Sequence, residues 1–339
     1  MPSRKVALVL SSGGPRGFAY IGAIEELLSR GYEISSIAGT SAGSLVGGVY
    51  AAGGLDAFKE WLYALDTAKV VSLMDFSISR SHLMKGNKVI EAIRKRVPDV
   101  RIEDLSIPFT AVATDLFTGE EVLLQKGPVF DAIRASISIP SMFQPVRWRG
   151  RTLVDGGIVN TFPLNRVART PGDILVGFDV NRIDAAGIRT YLQSREAMQE
   201  DETLIRDEAR ALWKDTLAVR DGAVLQRLRN SLERGGELLK EGIAAGRRTR
   251  RLTAESEATG IPARADDNYF SILDRSFGIM NQTIAALQAQ LAPPDILVSM
   301  PYDSYQGVYG YSHAEEIAAA GRTLMARALD AYESAHPGV

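Results

Sequence analysis

The stretch Gly39-Thr40-Ser41-Ala42-Gly43 limits the fold more than any other part of this chain. An apolar run, Ile34 to Ala38, leads into it and reads as a short strand. Ser44, Leu45, Val46, Val49, Tyr50 and Ala51 follow and read as a helix. A strand that turns at once into a helix admits only small neighbours, and glycine supplies them on both sides of Ser41. Such a turn lifts the serine hydroxyl above the end of a sheet. It also sets a helix N-terminus behind the hydroxyl, where developing negative charge is stabilised. Strand, tight turn and helix together make the pattern of a nucleophile elbow.

Two more glycine turns carry chemistry. Lys5-Val6-Ala7-Leu8-Val9-Leu10 is a continuous apolar run, read as a buried strand. Ser11-Ser12-Gly13-Gly14-Pro15-Arg16-Gly17 follows, and then Phe18, Ile21, Ile24, Leu27 and Leu28 form a helical pattern. Glycines in that loop expose backbone N–H groups to an anion, which leaves a phosphate cradle and an oxyanion hole both open. The glycine spacing does not fit Gly-x-Gly-x-x-Gly, and no Gly-Lys-Ser/Thr follows, so the dinucleotide and phosphate-loop readings fail. The third turn is Arg151-Thr152-Leu153-Val154-Asp155-Gly156-Gly157, with an aspartate at the end of an apolar strand. Serine needs a base. The histidines are His82, in a polar stretch, His336, in a Pro/Gly tail, and His313. With the tail set aside, only His313 follows a candidate acid in the order Ser, Asp, His. Asp155 is the other candidate, since an aspartate so placed can reach a serine directly.

Strand and helix signals alternate from Lys5 to Asp179. The strands are Val6–Leu10, Ile34–Ala38, Phe109–Thr114, Glu121–Leu124, Thr152–Val154 and Ile174–Phe178. The helices are Phe18–Ser29, Ala42–Ala52, Leu55–Leu65, Asn87–Arg96 and Val129–Ser136. This order predicts an α/β fold with three α/β/α layers around a mostly parallel central sheet, and a site at the carboxyl ends of its strands. Residues 1–183 form the expected catalytic core. Residues 184–267 read as a charged helical insert, with the roles of lid, cap or oligomer arm left open. Its basic run Arg247-Arg248-Thr249-Arg250-Arg251 fits either anionic head groups or a helix C-terminus. Residues 268–339 complete the core. There Tyr269, Phe270, Leu273, Phe277, Met280, Ile284, Leu287 and Leu291 form an apolar stripe that reads as core. Tyr302, Tyr305, Tyr309 and Tyr311 either line a substrate mouth or pack on the sheet.

Taken in order, the three glycine elements resemble the patatin-like phospholipase family. Ala7 to Ala19, Ile37 to Gly43 and Leu153 to Gly157 carry the likeness. Ala113-Thr114-Asp115-Leu116, Ala132 to Pro140, Pro294 to Val298 and Ala320-Gly321-Arg322 add to it. The resemblance implies a Ser–Asp dyad with Ser41 as nucleophile and Asp155 as base. It implies an oxyanion hole at Gly13 and Gly14, with Arg16 helping to hold the loop and lend a donor. Gly39, Gly43, Gly156 and Gly157 support these residues. The chain departs from the pattern at Ser12, where a glycine is usual, and at Pro15, which has no N–H to give. The implied activity is hydrolysis of a lipid carboxylic ester through an acyl-enzyme. The rivals are acyl transfer from the same intermediate and a catalytically weak lipid-binding or scaffold protein.

At 339 residues and a net charge of −2, the chain can bury a large core and has no electrostatic footprint for nucleic acid. With no cysteine there is no disulfide and no thiol nucleophile. The histidines show no metal-ligand spacing, so neither metal nor cofactor is expected. The run from Met1 to Leu10 is too short for a signal peptide, and no stretch approaches the roughly 18 apolar residues of a membrane span. A cytoplasmic protein is expected, acting on a lipid or other ester, with peripheral membrane contact and homo-oligomerisation left open.

Overall fold

In the first strand, β1 (Lys5–Leu10), every residue from Val6 to Leu10 is buried. Side chains alternate across a strand, so burial of both sets means that both faces are covered. Val6, Leu8 and Leu10 enter one hydrophobic cluster, while Ala7 and Val9 enter another. The computed structural model describes residues 4–75, 82–182, 269–302 and 309–337, and it extends this layering through the domain. After β1 come a 3₁₀ turn (Gly14–Phe18), α1 (Ala19–Ser29), β2 (Glu33–Thr40), α2 (Ala42–Ala51), α3 (Leu55–Tyr63) and α4 (Thr67–Leu73). Next are β3 (His82–Met84), α5 (Asn87–Arg94), β4 (Phe109–Asp115), β5 (Glu121–Leu124), α6 (Val129–Ser136), β6 (Ser141–Phe143), β7 (Val146–Trp148) and β8 (Arg151–Asp155). The described chain closes with β9 (Ile174–Arg182), α7 (Tyr269–Leu291), β10 (Ile296–Pro301) and α8 (Ala314–Ala335).

The sheet runs β10-β9-β1-β2-β4-β8-β7, with β5 also paired to β4. The pairings from β10 to β4 are parallel, and those of β5, β7 and β8 are antiparallel. The expected α/β fold with a mostly parallel sheet is therefore present. Helices α1, α2 and α8 cover one face through Ile21, Ile24, Val46, Val49, Ile317, Met325 and Leu329. On the other face, Ala285 of α7 packs with Phe162, Leu164 and Leu175.

The chain divides into residues 1–198 with 277–339, and residues 199–276. The expected insert, 184–267, lies outside the described residues. One expectation needs correction. The apolar stripe of α7 is not uniformly core: Met280, Leu287 and Leu291 are exposed, as is Ile279. The helix meets the sheet through its small residues, Ala285 and Ala289, so the bulky ones ride outside.

Helices α1 and α8 cross in backbone contact. A Cβ on Gly22 would strike the Ala318 carbonyl, and one on Gly321 would strike that of Ala19. Glycine is thus required at both positions by close approach, not by dihedral freedom. Gly321→Val should lower the unfolding free energy by about 2 kcal/mol or more, within the range of overpacked cores. Urea denaturation measures it, and a loss under about 0.5 kcal/mol would mean that the helices part at little cost.

Candidate active site

β2 ends at Thr40, and α2 begins at Ala42. Between them Ser41 has φ 54° and ψ −119°, a backbone region that non-glycine residues avoid at a cost of about 1–3 kcal/mol. The surroundings hold it there. The Ser41 N–H donates to Ser136 Oγ at 2.9 Å, and the Ser136 hydroxyl donates to the Val112 carbonyl at 2.6 Å. The Ser41 carbonyl accepts from Ser44 Oγ at 2.7 Å and from the Leu45 N–H at 3.0 Å. A Cβ on Gly39 would strike the Gly43 backbone, and one on Gly43 would strike the Leu10 carbonyl. These two contacts press the elbow onto the end of β1.

Asp155 closes β8 opposite Ala113, while Thr40 of β2 lies opposite Val112 on the same strand, β4. That register sets Ser41 and Asp155 at one level of the sheet. The Asp155 N–H donates to the Ser138 carbonyl at 2.9 Å, and its own carbonyl accepts from Thr114 Oγ1 at 3.0 Å. Oδ1 accepts the Gly157 N–H at 2.8 Å. Burial lifts the carboxyl pKa to about 6, against the neighbouring Ser41 hydroxyl and the Gly157 N–H, which both draw it down. The approach of Ser41 falls short of a full hydrogen bond, and Oδ2 has no partner among the described residues. Ser41 is 5% and Asp155 6% exposed, so a substrate must enter to reach them. Gly156 sits against the Val112 carbonyl with no room for a side chain. At Gly157 a Cβ would lie 3.1 Å from Asp155 Oδ1 and 3.3 Å from both Ser12 Oγ and Asn281 Oδ1.

The loop after β1 is anchored at its base. The Ser11 N–H donates to the Phe178 carbonyl at 3.1 Å, and the Ser12 N–H donates to that of Thr161 at 2.8 Å. Asn181 Nδ2 donates to the Ser12 carbonyl at 2.7 Å. The Ser12 amide is therefore spent, and its buried hydroxyl has no partner among the described residues. Gly13 packs against the Val180 side chain, and Gly14 takes a left-handed φ of 56°. In a 3₁₀ turn capped by Gly13, the first N–H to be consumed is that of Arg16. Pro15 has none. The N–H groups of Gly13 and Gly14 meet no acceptor among the described residues. The Arg16 side chain turns away to brace the loop: Nε donates to the Val180 carbonyl at 3.0 Å, and the guanidinium lies 4.3 Å from the Tyr302 ring centre. Tyr302 is buried, and Tyr311 packs edge-on against Phe18 at 5.8 Å. Both tyrosines buttress this loop. Tyr305 and the Tyr309 side chain lie outside the described residues.

His313 caps the N-terminus of α8 with Nδ1 3.2 Å from Ser312 Oγ, and His336 stacks on Tyr332 at the other end. His82 lies in β3. The charge state of Asp155 is set by burial, Ser41 and Gly157.

Sequence reasoning assigned no role to Ser136, Ser138, Thr161 or Asn281. Ser136 and Ser138 fall within the matched stretch Ala132 to Pro140, but which of its polar atoms reach the elbow is a matter of packing. Asn281 comes from α7, 120 residues beyond its partner Thr161, and no local signal marks it. Among the described residues no cluster of acidic or histidine side chains gathers to hold a metal ion, and no helix is long and apolar enough to cross a membrane.

A sequence model of the patatin-like phospholipase family matches residues 8–168. An uncharacterized NTE family protein of Mycobacterium tuberculosis is 36% identical over 344 residues, covering 98% of this chain and 93% of its own. Patatin-like phospholipase domain-containing protein 6 of Mus musculus is 28% identical over 194 residues, which are 55% of this chain and 14% of that one. Among solved structures, VipD from Legionella pneumophila aligns over 59% of this chain and 55% of its own, at 14% identity and a TM-score of 0.31. Likeness to the mycobacterial protein along nearly the whole length, with the family model over the glycine loop, elbow and Asp155, leads to one conclusion: this chain belongs to the patatin-like phospholipase family and, at the level of the family, to the lipid acyl hydrolases.

Proposed function

We propose that this protein hydrolyses a carboxylic ester of a phospholipid or related lipid through a Ser41–Asp155 dyad. Ser41 Oγ attacks the ester carbonyl carbon as its proton passes to Asp155. The carbonyl π electrons move onto oxygen, and that oxyanion accepts from the N–H groups of Gly13 and Gly14. Collapse breaks the ester C–O bond. The leaving alcohol takes the proton from Asp155, and the acyl group stays on Ser41. Water then gives a proton to Asp155 and attacks the acyl carbon, and Ser41 recovers the proton as the fatty acid leaves.

The observation that carries this reading is a buried carboxyl with its pKa raised to about 6 beside a serine held in a strained elbow. An ordinary aspartate near 3.9 is a poor base, whereas one near 6 is stronger yet still ionised at neutral pH. The two open glycine amides give the oxyanion its donors, so the hydroxyl at Ser12 and the proline at position 15 leave that function intact.

Ser41→Ala should lower hydrolysis of p-nitrophenyl esters by about 10³-fold or more and abolish labelling by a fluorophosphonate probe. Labelling that persists in this variant would overturn the assignment of the nucleophile. His313→Ala should keep most activity, and a dead variant would favour a triad instead. Product analysis with and without an added alcohol separates hydrolysis from acyl transfer.

Two pH effects follow from Asp155. The base works ionised, so kcat/KM should rise with pH through about 6 and level off above it. In stability the sign is opposite. The folded-state pKa, about 6, lies above the unfolded value near 3.9, so ionising this group weakens the fold as pH rises from about 4 to about 6. Asp155→Asn should therefore be nearly inactive yet more stable at pH 7, by at most about 2–3 kcal/mol, with the gain vanishing near pH 4. Thermal melts across that range measure it.

A further inference from the structure

We propose that the β4–β5 and β7–β8 turns form a docking surface for an anionic lipid bilayer. This rests on the reading of the substrate as a membrane lipid. The sheet register places the surface. Thr40 pairs with Val112 and Asp155 with Ala113, so Ser41 and Asp155 lie level with the middle of β4. β4 continues to Asp115 and turns through Leu116 and Phe117, three and four residues past Ala113. At about 3.4 Å per residue, Asp115 stands about 7 Å beyond the site along the strand, and the turn carries Leu116 and Phe117 farther out. The parallel strands end on this side of the sheet, where Ser41 and the 11–17 loop lie. β8 runs antiparallel to β4, so the turn at Arg149 and Gly150 projects from the same end.

The two turns touch. The Leu116 N–H donates to the Thr152 carbonyl at 2.8 Å, and Arg151 Nη1 donates to Glu120 Oε2 at 2.8 Å. Their surface combines an apolar tip with positive charge. Phe117 is 79% exposed and Leu116 48%. Arg147 and Arg149 are exposed and meet no carboxylate among the described residues, and the Arg149 guanidinium lies 5.7 Å from the Trp148 ring centre. Glu120, the exposed acid closest to these arginines along the two turns, is already paired with Arg151. The patch is therefore net positive. A bulky aromatic beside unpaired arginines suits the boundary of a bilayer, where the ring enters the acyl region and the cations meet anionic head groups. Phe117 would enter by about 5–10 Å. The buried dyad would then lie just below the lipid plane, and a lipid would be drawn out of the bilayer down into it.

The test is flotation of the full chain with phosphatidylcholine vesicles, with and without phosphatidylglycerol, alongside activity on a soluble p-nitrophenyl ester. Arg149 and Gly150 both have positive φ, at 48° and 82°, as a type I′ turn requires. Arg149→Asn therefore removes the charge while suiting the turn, and pairs with Arg147→Gln. Wild type should bind the anionic vesicles. Binding should fall about tenfold or more in R147Q/R149N and in Phe117→Ser, each arginine being worth several-fold at such a surface. Activity on the soluble ester should stay within about twofold of wild type, since neither turn touches the dyad. The proposal is overturned if wild type ignores anionic vesicles, if it binds neutral ones equally well, or if both variants bind like wild type. Ser41→Ala separates the two readings: full ester hydrolysis in that variant ends the dyad assignment, while its vesicle binding still tests the surface.

Discussion

The Gly43 backbone lies against the carbonyls of Leu10 and Ser11, and the candidate site is assembled around that contact. Ahead of it, Gly39 leaves room for Gly43. On the flank, Gly17 leaves room for Ala42. The N-terminus of α2, the strained serine and the glycine loop are thereby locked into one rigid piece. A methyl group at any of these positions would force backbones apart, and close packing leaves the neighbours little room to yield. The segment after Asp155 joins the same block, since the Asn160 carbonyl accepts from Thr40 Oγ1 and that of Thr161 from the Ser12 N–H. Three elements distant in sequence are thus fixed to one another mainly by backbone.

That rigidity gives Asp155 its character. A mobile carboxyl would turn to water and keep its ordinary acidity. Here the Ser138 carbonyl and the Thr114 hydroxyl pin the Asp155 backbone, the Gly157 amide holds the carboxyl, and desolvation outweighs the groups that favour its charge. The cost falls on stability at neutral pH, where the buried carboxyl must ionise. The serine carries its own strain, offset by the Ser136 bridge between its amide and the Val112 carbonyl.

Much of this was legible in advance. The strands and helices from Lys5 to Asp179 were marked by apolar runs and by glycine, which are local signals. The parallel sheet followed from their alternation. Ser41 and Asp155 each end a strand before a glycine turn, and the resemblance to the family implied pairing them as a dyad. The stripe of α7 misled at Met280, Leu287 and Leu291 because its helical period was right while its partner surface was unknown. The helix seats Ala285 and Ala289 on the sheet, and only the spacing between layers decides that small residues go inward there. The tyrosines after β10 were legible as a cluster but not as props: Tyr302 lies under Arg16 and Tyr311 against Phe18 because the chain folds back onto the first loop. Asn281 and Ser136 were invisible as site residues, since their contacts join segments far apart in the chain.

The amino-acid sequence by itself determined where the backbone must turn tightly and which side chains could do chemistry there, because glycine placement and apolar runs act within a few residues. It also determined the class of fold, since alternating strands and helices have few ways to bury both faces of a sheet. Tertiary structure alone decided how deeply Asp155 is buried and so how far its pKa rises. It decided as well that the Gly13 and Gly14 amides meet no acceptor among the described residues while those of Ser12 and Arg16 are consumed, and that the turns carrying Phe117 and Arg149 leave the sheet at the same end. Each of these depends on register and on desolvation by distant segments, quantities that exist only when the layers are in place.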